Sequence, residues 1–100
     1  MSAISIHIEN GIVTVSYEEK SPENITKRLN QLKEALNVTW YGVATVLDMK
    51  PTEGSVRLFK RWARDPLLSS SYQEMPESKW KLLLTLIEGQ TPINLQHVSD

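Results

Sequence analysis

Two segments near the start of the chain alternate apolar and polar residues, which is the pattern of half-buried β-strands. They span residues 4–17 and flank Asn10-Gly11, a dipeptide that readily takes the two positive φ angles of a type I′ hairpin turn. A two-residue turn fixes the pairing of the strands, so one face becomes apolar and the other mostly polar. We expect the apolar face to cover the core, and its residues are Ile4, Ile6, Ile8, Val13, Val15 and Tyr17.

Apolar residues recur at helical spacing soon after this hairpin. Ser21 is a good N-cap, and Pro22 and Glu23 suit the first turn of a helix. Asn37 is a suitable end for the same helix. The apolar stripe between them consists of Ile25, Leu29, Leu32 and Leu36.

Residues 43–49 form the longest run rich in β-branched and apolar residues before the last quarter of the chain. The run lies between Gly42 and Pro51, and a bounded apolar run of this length predicts a strand that is buried on both faces. We therefore expect a central strand here, with Asp48 near its carboxyl end.

The clearest separation of apolar and charged residues lies in residues 54–64, which predict a helix that starts after Thr52-Glu53 and ends at Asp65-Pro66. One half of the helical wheel carries Val56, Leu58, Phe59, Trp62 and Ala63. The other side carries four cations within about 100°, at the spacing i, i+3, i+4, i+7. We call this set the basic arc: Arg57, Lys60, Arg61 and Arg64.

Residues 76–88 fit two structures. As a helix, the segment gathers Glu77, Ser78, Lys81, Thr85 and Glu88 on one side and its apolar residues on the other. As a strand, residues 82–87 would pair through Gly89 with residues 93–98. The helix is favoured because Pro76 and Gly89 suit its two ends. Residues 89–100 are then a tail or a short edge strand.

These elements predict an α+β fold in the order β-β-α-β-α-α, with a small antiparallel or mixed sheet and helices on one face. A chain of 100 residues with 40% hydrophobic content corresponds to one domain, residues 1–100, with a modest core. Three tryptophans and a Leu-rich C-terminal segment suggest more apolar surface than such a fold can cover. We therefore expect a homodimer.

Composition excludes or disfavours several classes of function. The chain has no cysteine, so disulfides, zinc–thiolate sites and thiol catalysis are excluded. His7 and His97 form no metal-ligand pair, and no nucleophile or phosphate-binding motif occurs, so neither a metal nor a cofactor is expected and an enzyme is disfavoured. No signal-peptide pattern or membrane-length apolar run is present, which favours a cytoplasmic protein without membrane contact.

Asp48 is a candidate ligand-binding residue because open α/β sheets place functional groups at the carboxyl ends of their strands. A simpler interpretation is that it caps the following turn beside Lys50. The order hairpin, helix, strand ending in Asp48, helix resembles that of STAS-type regulatory domains. Where those domains carry Asp-Ser-Ser-Gly, this chain has Thr52-Glu53-Gly54, without the phosphorylatable serine before the glycine.

The basic arc is the strongest functional signal. The other seven Lys and Arg residues stand against twelve Asp and Glu, a net charge of −5, so the arc is a local concentration of positive charge. We expect a non-enzymatic interaction or regulatory module that uses the arc to bind an acidic protein. The alternatives are a nucleic-acid-binding protein that uses the same face, a ligand binder or enzyme centred on Asp48, and a merely solvated helix face.

Overall fold

The structure, a computed structural model, describes residues 3–89 and 94–97 and confirms the α+β class. Four helices follow a β-hairpin, and a third short strand comes last. The elements are β1 (Ile4–Glu9), β2 (Ile12–Tyr17), α1 (Pro22–Leu36), α2 (Trp40–Val46), α3 (Glu53–Trp62), α4 (Glu77–Glu88) and β3 (Asn94–His97).

The sheet is mixed and has the strand order β2-β1-β3. β1 pairs antiparallel with β2 and parallel with β3, which lies within the residues predicted to be a tail or a short edge strand. The predicted hairpin register is also confirmed, with Ile6 opposite Val15 and Glu9 opposite Ile12. Asn10 and Gly11 have φ angles of 52° and 76°, as a type I′ turn requires.

Three of the helices begin at or next to the residues that the sequence indicates. The Ser21 hydroxyl accepts a hydrogen bond from the Asn24 backbone N–H at 3.1 Å, and α1 ends at Asn37 in the left-handed conformation. Thr52 caps α3, which ends at Trp62, so Arg64 lies just past the helix. The helical interpretation of residues 76–88 is confirmed by α4.

The predicted central strand is wrong, because residues 40–46 form the helix α2. Val43, Ala44 and Leu47 are buried at the spacing i, i+1, i+4, which is one face of a helix as well as part of an apolar run. β-branched residues favour strands only weakly, and packing overrides that preference. Since no strand lies between α1 and α3, the β-β-α-β-α-α order and the resemblance to STAS-type domains do not hold.

The helices form the core mainly by packing on one another. α1 packs on α2 and α4, α2 packs on α3, and α4 contacts β1. The largest fully buried side chains are Trp80, Leu32, Leu47, Met75, Leu83, Leu84 and Val43. Trp62 is buried as well, so most of the apolar residues that suggested a homodimer lie inside the helical core.

The apolar face of the hairpin is covered only at one end. Ile4 is buried, and the Lys81 ammonium of α4 lies 5.1 Å from the centre of the Tyr17 ring. Farther along, Val13 and Val15 are 58% and 44% exposed. The prediction that this face is buried is therefore wrong for the distal half, because α4 does not reach beyond the first pairs of the hairpin.

A polar cluster joins the hairpin to the helices. The Arg28 guanidinium donates to both carboxylate oxygens of Glu18, at 2.7 and 2.8 Å, and these hydrogen bonds hold the pKa of Glu18 below its usual value. The Glu18 carbonyl accepts from the Trp80 indole at 2.8 Å. Glu88, predicted on the polar side of its helix, is buried instead and accepts from the Ile4 backbone N–H at 3.1 Å.

Candidate functional site

The basic arc lies on the outer face of α3 and continues to Arg64, two residues past the end of the helix. Arg57, Lys60 and Arg61 are exposed on α3, and Arg64 is exposed just beyond Ala63, the last residue to continue the helical backbone. The opposite side of α3 is held in the core by Phe59 and Trp62, whose ring centres are 5.6 Å apart. Four cations are therefore presented to solvent by a segment that is fixed by aromatic packing.

Intramolecular partners account for only part of this charge. Arg57 forms an ion pair with Glu53 at 3.5 Å, but both side chains are largely exposed, and such pairs contribute little. The Arg64 guanidinium donates to the Ser71 hydroxyl, which is neutral. Within residues 3–89, Lys60, Arg61 and Arg64 form no ion pair with a carboxylate.

An apolar groove runs beside the basic arc, between α1 and α3. Its volume is about 160 Å³, and Trp40 of α2 lines it together with residues from both flanking helices. The Trp40 and Phe59 ring centres are 6.0 Å apart. We call this the α1–α3 groove, and its lining consists of Thr26, Leu29, Asn30, Trp40, Val56, Phe59, Lys60 and Ala63.

Lys60 belongs to both the groove and the basic arc. On the wheel of α3, Val56, Phe59 and Ala63 point toward the groove, and Lys60 is the next position around the helix. The arginines of the basic arc follow directly after it. One side of α3 therefore offers an apolar wall that passes without a break into a row of cations.

The charge along the groove changes sign from one end to the other. Near Trp40 a further cation is contributed by α1, since the Lys33 ammonium lies 5.6 Å from the indole ring centre. In the other direction the groove continues past Thr26 and Ala63 into an open depression of about 800 Å³. The carboxylates that border this depression are Glu19, Glu23 and Asp65.

Asp48 does not occupy the position that suggested a ligand site. It follows a helix rather than a strand, and its φ angle of 59° is the left-handed conformation that ends α2. Its N–H donates to the Thr45 carbonyl at 3.1 Å, and the Met49 N–H donates to the Ala44 carbonyl at 2.9 Å, which together form a Schellman motif. The position of Asp48 is thus explained by helix termination.

Comparison of the chain with protein-family models, with curated proteins and with solved structures finds no match in any of the three. None of the helices in the described ranges is both long enough and apolar enough to cross a membrane. The candidate site therefore rests on geometry and charge.

The sequence identifies the basic arc but misses the groove. The strand predicted for residues 43–49 gives Trp40, which precedes it, no position between two helices. On α1 the groove residues Thr26, Leu29 and Asn30 recur at the spacing of one helix face, and Lys33 continues the same row. This row contains both apolar and polar residues and is therefore a weak signal. The fully apolar stripe of α1 lies beside it and dominates the pattern.

Proposed function

We propose that the protein is a non-enzymatic interaction module that binds an acidic amphipathic segment of a partner protein in the α1–α3 groove. The apolar residues of the partner segment would enter the groove near Trp40 and Phe59, and the carboxylates of that segment would meet the basic arc. The observation that carries this proposal is the double position of Lys60, which joins an apolar wall to a row of cations on one face of α3.

An amphipathic helix is the form of segment that this surface fits best. Helix-in-groove recognition uses apolar anchors at i, i+3, i+4 and i+7, which run along one helix face beside a charged face. One fully buried anchor side chain contributes roughly 1.5–3 kcal/mol. The exposed cations would mainly accelerate association and select acidic partners, because screened charges at the rim of an interface add little affinity.

Two features favour a protein over a nucleic acid. The Trp40 ring already has the Lys33 ammonium 5.6 Å from its centre, so a stacked base would have to displace that side chain. The depression that continues the groove is bordered by Glu19, Glu23 and Asp65, which would repel a phosphate backbone. An acidic segment that carries cations only at the end over this depression matches both ends of the groove.

The test compares partner capture by matched variants immobilised as bait in an extract of the source organism, after nuclease treatment. One variant reverses two cations of the arc, Arg57→Glu with Arg61→Glu. A second fills the groove without changing charge, Ala63→Leu. The control reverses two exposed lysines outside the arc, Lys50→Glu with Lys81→Glu.

We expect the same set of proteins to be recovered by the wild type and the control and to be lost from both test variants. Thermal unfolding of each bait checks that the fold is intact. Equal recovery on all four baits would show that the basic arc is only a solvated face. Recovery of the set from an untreated extract, but not from the nuclease-treated one, would favour the nucleic-acid alternative.

A further inference from the structure

β2 is an edge strand whose outer side is open. In the strand order β2-β1-β3, the only neighbour of β2 among the described residues is β1. Its sequence, Ile-Val-Thr-Val-Ser-Tyr, contains no charged residue and no proline. Natural proteins block exposed edges with such residues, and β2 lacks them over its whole length.

The backbone of β2 offers a regular row of hydrogen-bonding groups on this open side. The Glu18 N–H donates to the Ala3 carbonyl at 2.9 Å, which marks that pair as hydrogen-bonded. Hydrogen-bonded and non-hydrogen-bonded pairs alternate along an antiparallel ladder, and Ile6 with Val15 is the third pair after Ala3 with Glu18. Ile6 and Val15 are therefore a non-hydrogen-bonded pair, so the N–H and C=O groups of Val15 point away from β1. The outward-directed residues of β2 are Val13, Val15 and Tyr17.

The side chains of β2 are exposed to an unusual extent for such apolar residues. Ile12, Val13, Val15 and Tyr17 are 70%, 58%, 44% and 40% exposed. Val13, Val15 and Tyr17 form a row of exposed apolar side chains on one face of the sheet, whereas Ile12 lies on the opposite face. On its outer side β2 therefore has no partner strand within the described residues, and its apolar side chains are largely exposed.

We propose that β2 pairs antiparallel with β2 of a second copy, about a two-fold axis that passes through Val15. This register places the three outward-directed residues of each strand opposite those of the other, with Val13 across from the partner's Tyr17. Registers that differ by one residue would set apolar side chains against polar ones. The two sheets then form one continuous sheet of six strands.

A second copy fits this edge because β2 is complementary to itself. No like charges face each other across the axis, since the nearest carboxylate, Glu18, lies across from the partner's Ile12. Edge-to-edge pairing leaves the side chains on the two sheet faces largely exposed, so it buries less than the roughly 1,200 Å² of stable interfaces, and association should be reversible. The two-fold contact uses the same edge in both copies and therefore closes at the dimer.

This inference is independent of the proposed function. The dimer would use β2, whereas partner binding would use α3 and the α1–α3 groove. Either can fail without affecting the other.

Cysteine cross-linking tests the register directly, because the natural chain contains no cysteine. Residues that face each other in a hydrogen-bonded antiparallel pair have Cα atoms about 5.5 Å apart, which is within disulfide range. We expect Val15→Cys to form a covalent dimer under mild oxidation. Val13→Cys lies on the same strand and face and is the control. It should not form a covalent dimer, because residue 13 of one copy lies four positions along the strand from residue 13 of the other. Cross-linking at residue 13 but not at residue 15 would overturn the proposal.

Sedimentation equilibrium tests the association itself. We expect a monomer–dimer equilibrium with a dissociation constant in the micromolar range, and at least a ten-fold weakening in Val15→Lys, which sets two cations face to face. Val15→Pro should weaken it similarly, because it removes an outward N–H that β1 does not use. Leu67→Lys changes a 91% exposed residue elsewhere and should associate as the wild type does. A monomer at all concentrations, larger open-ended assemblies, or equal association by Val15→Lys would overturn the proposal.

Discussion

The ion pair between Arg28 and Glu18 should be the main polar contact that fixes the hairpin on the helices. The Arg28 side chain is 7% exposed and the Glu18 side chain 22%, so water can replace little of their interaction. Arg28 also donates to the Gln31 side-chain oxygen at 2.7 Å. Because Glu18 bonds to Ala3 and Trp80 through its backbone, changing its side chain leaves those two contacts in place.

A double-mutant cycle measures this interaction. Arg28→Met breaks the ion pair with Glu18 and the hydrogen bond to Gln31. Removing one partner of a fully buried pair costs roughly 3–5 kcal/mol, but Glu18 is partly exposed and methionine recovers part of the packing. We expect losses of about 2–4 kcal/mol in unfolding free energy for Arg28→Met and for Glu18→Gln. The double variant should lose less than the sum, with a coupling of about 1–3 kcal/mol. Urea unfolding followed by circular dichroism gives all four values.

The pH dependence supplies an independent check. The hydrogen bonds from Arg28 hold the pKa of Glu18 in the folded protein below its usual value of 4.5, which the unfolded chain approaches. The stabilisation is therefore complete above the unfolded pKa and is lost as pH falls through the folded one. The stability difference between the wild type and Glu18→Gln should shrink as the pH falls below about 4.5. A coupling under about 0.5 kcal/mol, together with a difference that does not change with pH, would refute the reasoning.

Two further predictions separate packing from exposure. Leu83→Ala in the helical core should cost about 2–5 kcal/mol in unfolding free energy. Ile6→Ala on the half-covered hairpin should cost only about 1 kcal/mol. Equal losses of the two variants in urea unfolding would mean that the hairpin face is buried. Gly42→Ala should lower the melting temperature, because the added Cβ would lie 2.7 Å from the Val38 Cβ. Gly54→Ala should raise it slightly, because its Cβ would make only an ordinary contact, 3.6 Å from the Thr52 hydroxyl oxygen; a rise in both would show that α2 has room at Gly42.

The sequence predicts those parts of the fold that are determined locally. The register of β1 and β2 follows from Asn10-Gly11, because a two-residue turn leaves no freedom in the pairing. The starts of α1 and α3 follow from Ser21 and Thr52, whose hydroxyls accept backbone hydrogen bonds in the first turn. These signals depend on a few neighbouring residues and do not require knowledge of the tertiary packing.

The errors concern features that only tertiary packing decides. An apolar run such as residues 43–49 can be buried as a strand or as a helix, and α2 is selected by its contacts with α1 and α3. Alternation along β2 shows which residues share a face but not whether another element covers that face. Glu88 is buried because its carboxylate accepts the Ile4 N–H from the other end of the chain, which no local pattern can indicate.

The candidate site combines both situations. The spacing of the basic arc is a local property of α3 and was predicted, but charge spacing alone fits a solvated face equally well. A binding surface is distinguished from a solvated face by the apolar wall beside Lys60. This wall requires α1, α2 and α3 to be assembled around Trp40. The decisive comparison is therefore between the charge reversal and Ala63→Leu, which fills the groove and leaves every cation in place. If both variants lose the same partners, the groove and the arc act as one surface; if only the charge reversal has an effect, the arc attracts acidic proteins without the groove, and the proposed helix-in-groove mode is wrong.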